Sequence, residues 1–304
     1  MDNYVCVAGG INADIKGISA GLTEDSHQGK IIITGGGVAR NVSENLARLS
    51  LNVHLFGCVG SDEFGRKVLE SASCAGVHTD KVLVSERAGT GIYLSVSDTT
   101  GKLKYAVNDM KGALAEINSA YINEHRNFLA GSSLIFADTN LDTIALNMLI
   151  EIANSNGIPF FIDTVSASKA ERAGELKGIT DYLSVNSQEF EILSGLYAGK
   201  NGDSGINPET TKNIILRKGA EGALLISGKE IMRVEAEHAG VVEPNGAGDA
   251  FNAGFIYALM AGKKKEAALE YGVAASRFAL ESESSAGSGM NSEKLENRIK
   301  SNIK

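Results

Sequence analysis

Asn245-Gly246-Ala247-Gly248-Asp249-Ala250-Phe251 opens a segment in which Ala253, Phe255, Ile256, Ala258 and Leu259 continue an apolar pattern on nearly every side. Residues 247–261 therefore read as a helix with no polar face, and such a helix is buried inside a layered domain. Its start presents unpaired backbone N–H groups and the positive end of the helix dipole. Gly246 and Gly248 let an anion come close to the main chain there. Asp249, in the first turn, is placed to take a proton from a substrate hydroxyl. A lone Gly-x-Gly-Asp would read as a carboxylate stabilising a helix start; the buried helix and the motifs described below favour the chemical role.

Around this helix the chain alternates short apolar runs with helical patterns. The runs are residues 4–8, 53–59, 134–137, 159–162, 182–185 and 213–216, and each leaves into a polar or glycine-rich exit. Helical spacing covers residues 38–49, where Val38, Val42, Leu46 and Leu49 share a face, and residues 143–155. The alternation predicts an α/β fold, with a mostly parallel central sheet and helices on both faces. Ligands of such sheets bind beyond the carboxyl ends of the strands, and here the exits carry Asp14, Asp138, Asp163, Asn186 and Lys218.

Two stretches break the rhythm. Residues 29–34 contain three consecutive isoleucines, and residues 90–97 and 102–107 flank the turn Asp98-Thr99-Thr100-Gly101. They predict a small antiparallel β sheet apart from the main one, either a lid over the cleft or an edge extension. No internal repeat or linker divides the chain, so a single domain over residues 1–304 is expected, with the lid, about residues 11–34 and 88–110, inserted in it.

The 304 residues hold 29 Lys+Arg against 37 Asp+Glu, a formal net charge of −8. Lys263-Lys264-Lys265 is the longest basic block and sits where cations suit a helix end, so a general nucleic-acid binder is not expected. Glycine is abundant at 35 and proline rare at 3, which suits a protein that wraps small ligands with main chain. Cys6, Cys58 and Cys74 form no CxxC pair, and the histidines show no HExxH spacing. These features predict buried reduced thiols, a cytoplasmic location and no zinc site. Residues 4–8 are already strand-like and no apolar stretch reaches membrane length, so neither a signal peptide nor a membrane partner is expected.

Three further motifs carry chemistry. Gly35-Gly36-Gly37-Val38-Ala39-Arg40-Asn41 sets glycines before an amphipathic helix, with Asn41 one turn in, where its amide can bind a diol; alone it reads as a tight turn and a surface Asn. Asn186-Ser187-Gln188-Glu189 follows a strand directly. It reads alone as a helix cap with its capping-box Glu, and the same pair offers oxygen ligands to hydrated Mg²⁺. Arg217-Lys218-Gly219-Ala220-Glu221-Gly222 reads alone as a turn, with glycines that permit a nucleotide to lie on the backbone. Neither a GxxxxGK[ST] loop nor a dinucleotide fingerprint with its trailing acid occurs.

The four motifs, in this order and at these separations, resemble the ribokinase-like (PfkB) carbohydrate kinases over essentially the whole chain. The resemblance implies a kinase that moves the γ-phosphate of ATP to a hydroxymethyl group of a small-molecule sugar or nucleoside, and it favours the lid reading. It implies Asp249 as base, with Gly246, Ala247 and Gly248 as the anion hole. Sugar contacts are implied for Asn12, Asp14, Gly36, Gly37 and Asn41. Nucleotide contacts are implied for Asn186, Lys218, Gly219, Gly222 and Lys169, and the Mg²⁺ region for Glu189 and Asp163. A monovalent cation such as K⁺ is implied too, although Glu243-Pro244-Asn245 stands where the family usually has Asp-Thr-Thr. Asp163-Thr164-Val165 likewise replaces the more usual Asp-Pro-Val.

Within the family, four segments are similar to the bacterial pseudouridine kinases, which phosphorylate the 5′-hydroxyl of a C-nucleoside. These are Gly29-Lys30-Ile31 leading into Gly36–Asn41, Val107-Asn108-Asp109-Met110, residues 121–128, and Asp163-Thr164-Val165-Ser166-Ala167-Ser168-Lys169. Asn108 and Asp109 offer a donor and an acceptor suited to a uracil-like ring, or they close the hairpin as an Asx turn. The alternatives are another sugar or nucleoside kinase of the family, for ribose, adenosine or inosine, and a non-catalytic nucleoside or sugar sensor, which would have no need of Asp249. A nicotinamide-dependent dehydrogenase lacks its fingerprint here. A homodimer through the lid is expected, because an uncovered sheet face and its edges seek partners.

Overall fold

The computed structural model describes residues 3–21, 26–201, 206, 209–236, 246–282, 286 and 289–302, and of residues 196–201 and 302 the backbone only. Glu243, Pro244 and Asn245, and with them the sequence argument about a monovalent cation, lie outside the described residues, as do parts of the loops at 199–207 and 282–288.

In chain order the strands are β1 (Tyr4–Ala8), β2 (Asn12–Ile18), β3 (Lys30–Gly36), β4 (Asn52–Gly60), β5 (Val82–Ser85), β6 (Gly91–Ser97), β7 (Leu103–Asp109), β8 (Leu134–Asp138), β9 (Phe160–Asp163), β10 (Thr180–Asn186), β11 (Thr211–Arg217), β12 (Ala223–Ser227) and β13 (Glu230–Val234). The helices are α1 (Val38–Arg48), α2 (Glu63–Cys74), α3 (Lys111–Ala115), α4 (Ser119–Glu124), α5 (Arg126–Leu129), α6 (Thr143–Ser155), α7 (Ala167–Gly174), α8 (Ser187–Asn201), α9 (Ala247–Met260), α10 (Lys265–Leu280) and α11 (Ser292–Asn302).

The large sheet runs β13-β12-β11-β10-β9-β8-β1-β4-β5. Every pairing from β11 to β5 is parallel, and the β12–β13 hairpin closes one edge antiparallel. Strand alternation divides the apolar residues between two cores. Val5, Val7, Leu134, Phe136 and Phe161 pack with α1, α9 and α10 on one face. Cys6, Ala8, Ile135, Ala137, Phe160 and Ile162 pack with α4, α6 and α8 on the other. Both faces are covered, as the continuous apolar runs predict. Cys6 and Cys58, the two cysteines in apolar runs, are buried free thiols, whereas Cys74, at the end of α2, is exposed.

The second sheet has the order β3-β2-β6-β7. Its outer pairs β3–β2 and β6–β7 are antiparallel, and its central pair β2–β6 is parallel. The Asp98–Gly101 turn closes β6 and β7 through Gly101 N–H donating to Asp98 C=O at 3.0 Å. Asn12 and Asp14, which the sequence places in the exit of the first strand, belong to β2 of this second sheet.

Candidate active site

Four strands that neighbour one another in the large sheet end in polar groups: β8 in Asp138, β9 in Asp163, β10 in Asn186 and β11 in Arg217. The register sets Asp138 beside Asp163 and Asn186 beside Arg217. Helix α9 starts over this edge. Gly246, its N-cap, has φ 84°, a left-handed conformation that costs glycine least. At Gly248 a Cβ would lie 2.1 Å from Arg217 Nη1, so a side chain there would displace the guanidinium. The guanidinium therefore sits directly against the head of α9.

Asp249 is buried, and Asn41 Nδ2, reaching across from α1, donates to its Oδ2 at 2.8 Å. Burial pushes the Asp249 carboxyl well above the usual carboxylate range, and the charges of Asp163 and Asp138 add to that push; the Asn41 hydrogen bond and Arg217 oppose it. The result is a buried carboxylate of raised basicity, which is what a general base requires.

Arg217 Nη2 pairs with Asp163 Oδ2 at 3.1 Å and approaches Glu189 Oε2 at 3.6 Å. Asp163 also accepts from Asn252 Nδ2 at 2.8 Å and from Val165 N–H at 2.7 Å. Val165 holds φ 61°, an unusual conformation for a β-branched residue, beside this carboxylate. Glu189 takes Thr164 Oγ1 at 2.6 Å, Asn186 N–H at 2.8 Å and Asn186 Nδ2 at 2.7 Å, while its own N–H donates to Asn186 Oδ1 at 2.9 Å. The reciprocal capping box that the spacing suggests is thus present, and it also fixes the Glu189 carboxylate in the cluster.

Asp138 ties three segments together. It accepts from Gly10 N–H at 2.9 Å, Ala39 N–H at 3.0 Å and Asn140 N–H at 2.9 Å. Burial pushes its carboxyl up to about 6, against the opposing hydrogen bonds. Lys169 donates to Asn140 Oδ1 at 2.5 Å, and burial lowers its pKa, Arg172 adding to the effect and Asp138 resisting it.

In the second sheet Asn12 Nδ2 donates to Asp14 Oδ1 at 2.6 Å, while Asn12 Oδ1 is buried with no hydrogen-bond partner among the described residues. Gly36 is required beside them, since a Cβ would meet Asp14 Oδ1 at 2.2 Å, and Gly37 enters α1 at φ 97° against the Gly10 carbonyl. In register, Asp14 lies opposite Tyr93, and Tyr93 opposite Asn108. The three share one face of the second sheet. Asp109, one residue on, pairs with Ile92 and belongs to the other face.

Two residues escape the sequence reading. Arg217, not Lys218, turns its charge into the cluster; Lys218 pairs with Glu221 at 2.5 Å, away from it. The available signal was an arginine ending an apolar strand. Tyr93 is the other, and the alternation of residues 90–97 puts it on the face of Asp14. Gly219 and Gly222 have φ 59° and 87° and form the turn expected of them.

Comparison with known proteins fits this geometry. The pfkB family carbohydrate kinase profile matches residues 2–292. The chain belongs to this family and is a kinase. It is 31% identical over 290 residues to pseudouridine kinase of Escherichia coli, covering 92% of this chain and 91% of that protein. It is 29% identical to guanosine-inosine kinase of Exiguobacterium acetylicum, covering 89% and 92%. In fold it resembles Arabidopsis thaliana ribokinase complexed with ribose and ATP, with a TM-score of 0.80, 20% identity and coverage of 99% of both chains.

Proposed function

We propose that this kinase transfers the γ-phosphate of ATP to the 5′-hydroxyl of pseudouridine, giving pseudouridine 5′-phosphate and ADP. The observation that carries the reading is the buried Asp249 carboxylate at the head of α9, held by Asn41 and raised in basicity. Asp249 takes the hydroxyl proton as the oxygen attacks phosphorus in line; the bond from the γ-phosphorus to the bridging oxygen breaks, and ADP keeps that electron pair. The amides of Ala247, Gly248 and Asp249, with Gly246 turning the chain, face the transferring group as an anion hole. Arg217, just beneath, adds positive charge. Asn186, Lys169, Lys218, Gly219 and Gly222 border the nucleotide.

Asp163, Glu189 and Asn186 present hard oxygen donors beside the helix head, a set that suits Mg²⁺ bound largely through water and phosphate. When bound, the ion supplies positive charge against the phosphates. On the substrate side, Asn12, Asp14 and Asn41 hold ribose hydroxyls, with Gly36 and Gly37 leaving room. Asn12 Oδ1, buried and without a donor among the described residues, can accept from a ribose hydroxyl. Tyr93 offers a ring face to the base, and Asn108 its amide. Lid closure excludes water and limits ATP hydrolysis. The similarity to the E. coli pseudouridine kinase supports this choice of nucleoside, and cytoplasmic ATP is the donor we infer.

The opposite lid face supports a homodimer. Register places Ile15, Ile31, Ile33, Leu94, Val96, Tyr105 and Val107 together, and Ile31 and Tyr105 are 72% and 71% exposed. A second copy presenting the same face would cover them isologously.

The test is ADP release with pseudouridine, uridine, adenosine, inosine, guanosine, ribose and fructose 6-phosphate. Preference for pseudouridine is expected. Preference for inosine or guanosine would keep the mechanism and reject the substrate, and no turnover with any of them would overturn both.

A further inference from the structure

At the amino end of β4, remote from the edge that carries Asp163 and Arg217, two strand segments bring together three groups that no local spacing announces. His54 and His78 are parallel bridge partners. Leu55 N–H donates to the His78 carbonyl at 3.0 Å, and His78 N–H to the Val53 carbonyl at 2.9 Å. The imidazoles stack, centroids 4.4 Å apart and planes 13° apart. Asp80, two residues after His78, sets its Oδ1 3.6 Å from His54 Nδ1. One candidate ligand atom from each of the three lies within 4.8 Å of the others.

As stacked, the two imidazole lone pairs run nearly parallel, so the exposed His78 ring must turn out of the stack to share an ion with His54. His54 Nδ1 is buried and has no hydrogen-bond partner among the described residues, and 3.6 Å to Asp80 is too long for one. Two ligands on one tetrahedral ion, with metal–N and metal–O of about 2.0–2.2 Å, stand about 3.4 Å apart. The observed gap is close to that separation. Lys81 Nζ binds the other oxygen of Asp80 at 2.8 Å, fixing the carboxylate with Oδ1 toward the histidines, the kind of support that ligating carboxylates receive. Tyr4 and Phe128 wall the His54 ring with edge contacts at 5.4 and 4.7 Å, which restrains its rotation.

We propose that His54, His78 and Asp80 bind a divalent transition ion, Zn²⁺ foremost, at a site separate from the Mg²⁺ of the kinase reaction. Two imidazoles and one carboxylate suit zinc with water in the fourth position, whereas Mg²⁺ prefers oxygen donors. The ion staples β4 to the segment leading into β5, the edge strand of the large sheet. The absence of an HExxH spacing does not exclude such a site, because its ligands meet across strands rather than along a helix.

The test is calorimetric titration of chelator-stripped full-length protein with zinc chloride in buffer containing Mg²⁺, paired with thermal melts. One saturable site per chain in the micromolar range and a raised Tm are expected. His78→Ala, at an exposed position, removes both effects and Asp80→Asn weakens them, with ATP-dependent turnover in the absence of zinc unchanged. Absence of a saturable site in the wild-type protein, or zinc binding unaltered in His78→Ala, would overturn the proposal.

Discussion

The carboxyl edge of the large sheet and the four-stranded second sheet, the proposed lid, are built on opposite rules. At the edge, charge is buried and answered: Arg217 serves Asp163 and Glu189, Asn252 braces Asp163, and Asn41 braces Asp249. On the lid, one face carries the sparse polar row Asp14, Tyr93 and Asn108, and the other turns isoleucines and a tyrosine to water. The difference separates two tasks. The proposed base needs a rigid surround that does not reorganise during reaction, whereas the proposed lid meets substrate on its polar face and a second copy on its apolar one.

The largest effect is expected at the edge. Asp249→Asn should lower kcat by at least about 10²–10⁴ and leave the melting temperature unchanged or higher, since a like charge beside Asp163 and Asp138 is removed. Near-normal turnover would break the comparison at its root. Arg217→Met leaves the buried Asp163 and Glu189 uncompensated and should cost about 3–5 kcal/mol in denaturant unfolding. A neutral result would mean that the ionic cluster is not what holds the edge.

The pH profile sharpens the same point. The proposed base Asp249 must be ionised to act, so kcat/KM, which reports groups of the free enzyme, should fall as pH drops, with its acid limb above the ordinary aspartate value of about 3.9. Because Arg217 lowers the Asp249 pKa, Arg217→Gln should move that limb to higher pH. On the lid, Ile33→Asp combined with Tyr105→Asp should convert a dimer to a monomer in light scattering while preserving the fold. The smallest effect separates the two lid faces: Asn108→Ala should raise the nucleoside KM about tenfold, the order of one lost hydrogen bond, whereas Asp109→Ala should leave it nearly unchanged.

Periodicity made much of the architecture readable. Residues 143–155 form α6 as spaced, and the Asp98–Gly101 turn closes its hairpin. Repeated polar strand exits foretold the edge. What escaped was what depends on side-chain direction. Arg217 and Lys218 are adjacent, yet only one turns into the cluster. Asn108 and Asp109 likewise fall on opposite faces once register is known. The parallel seam β2–β6 and the His54–His78 pair join residues far apart in sequence, and no local pattern encodes such a meeting.

That seam also bears on how the chain folds. Asn12 pairs with Gly91, and between them lie β3, α1, β4, α2 and β5. Joining β2 to β6 thus closes a long loop, whose entropic cost falls before the contacts that repay it. During synthesis the β2–β3 hairpin emerges well before β6 exists, with an open strand edge and three isoleucines in β3. An unfinished lid of this kind is where an elongating chain is most exposed to aggregation or chaperone capture.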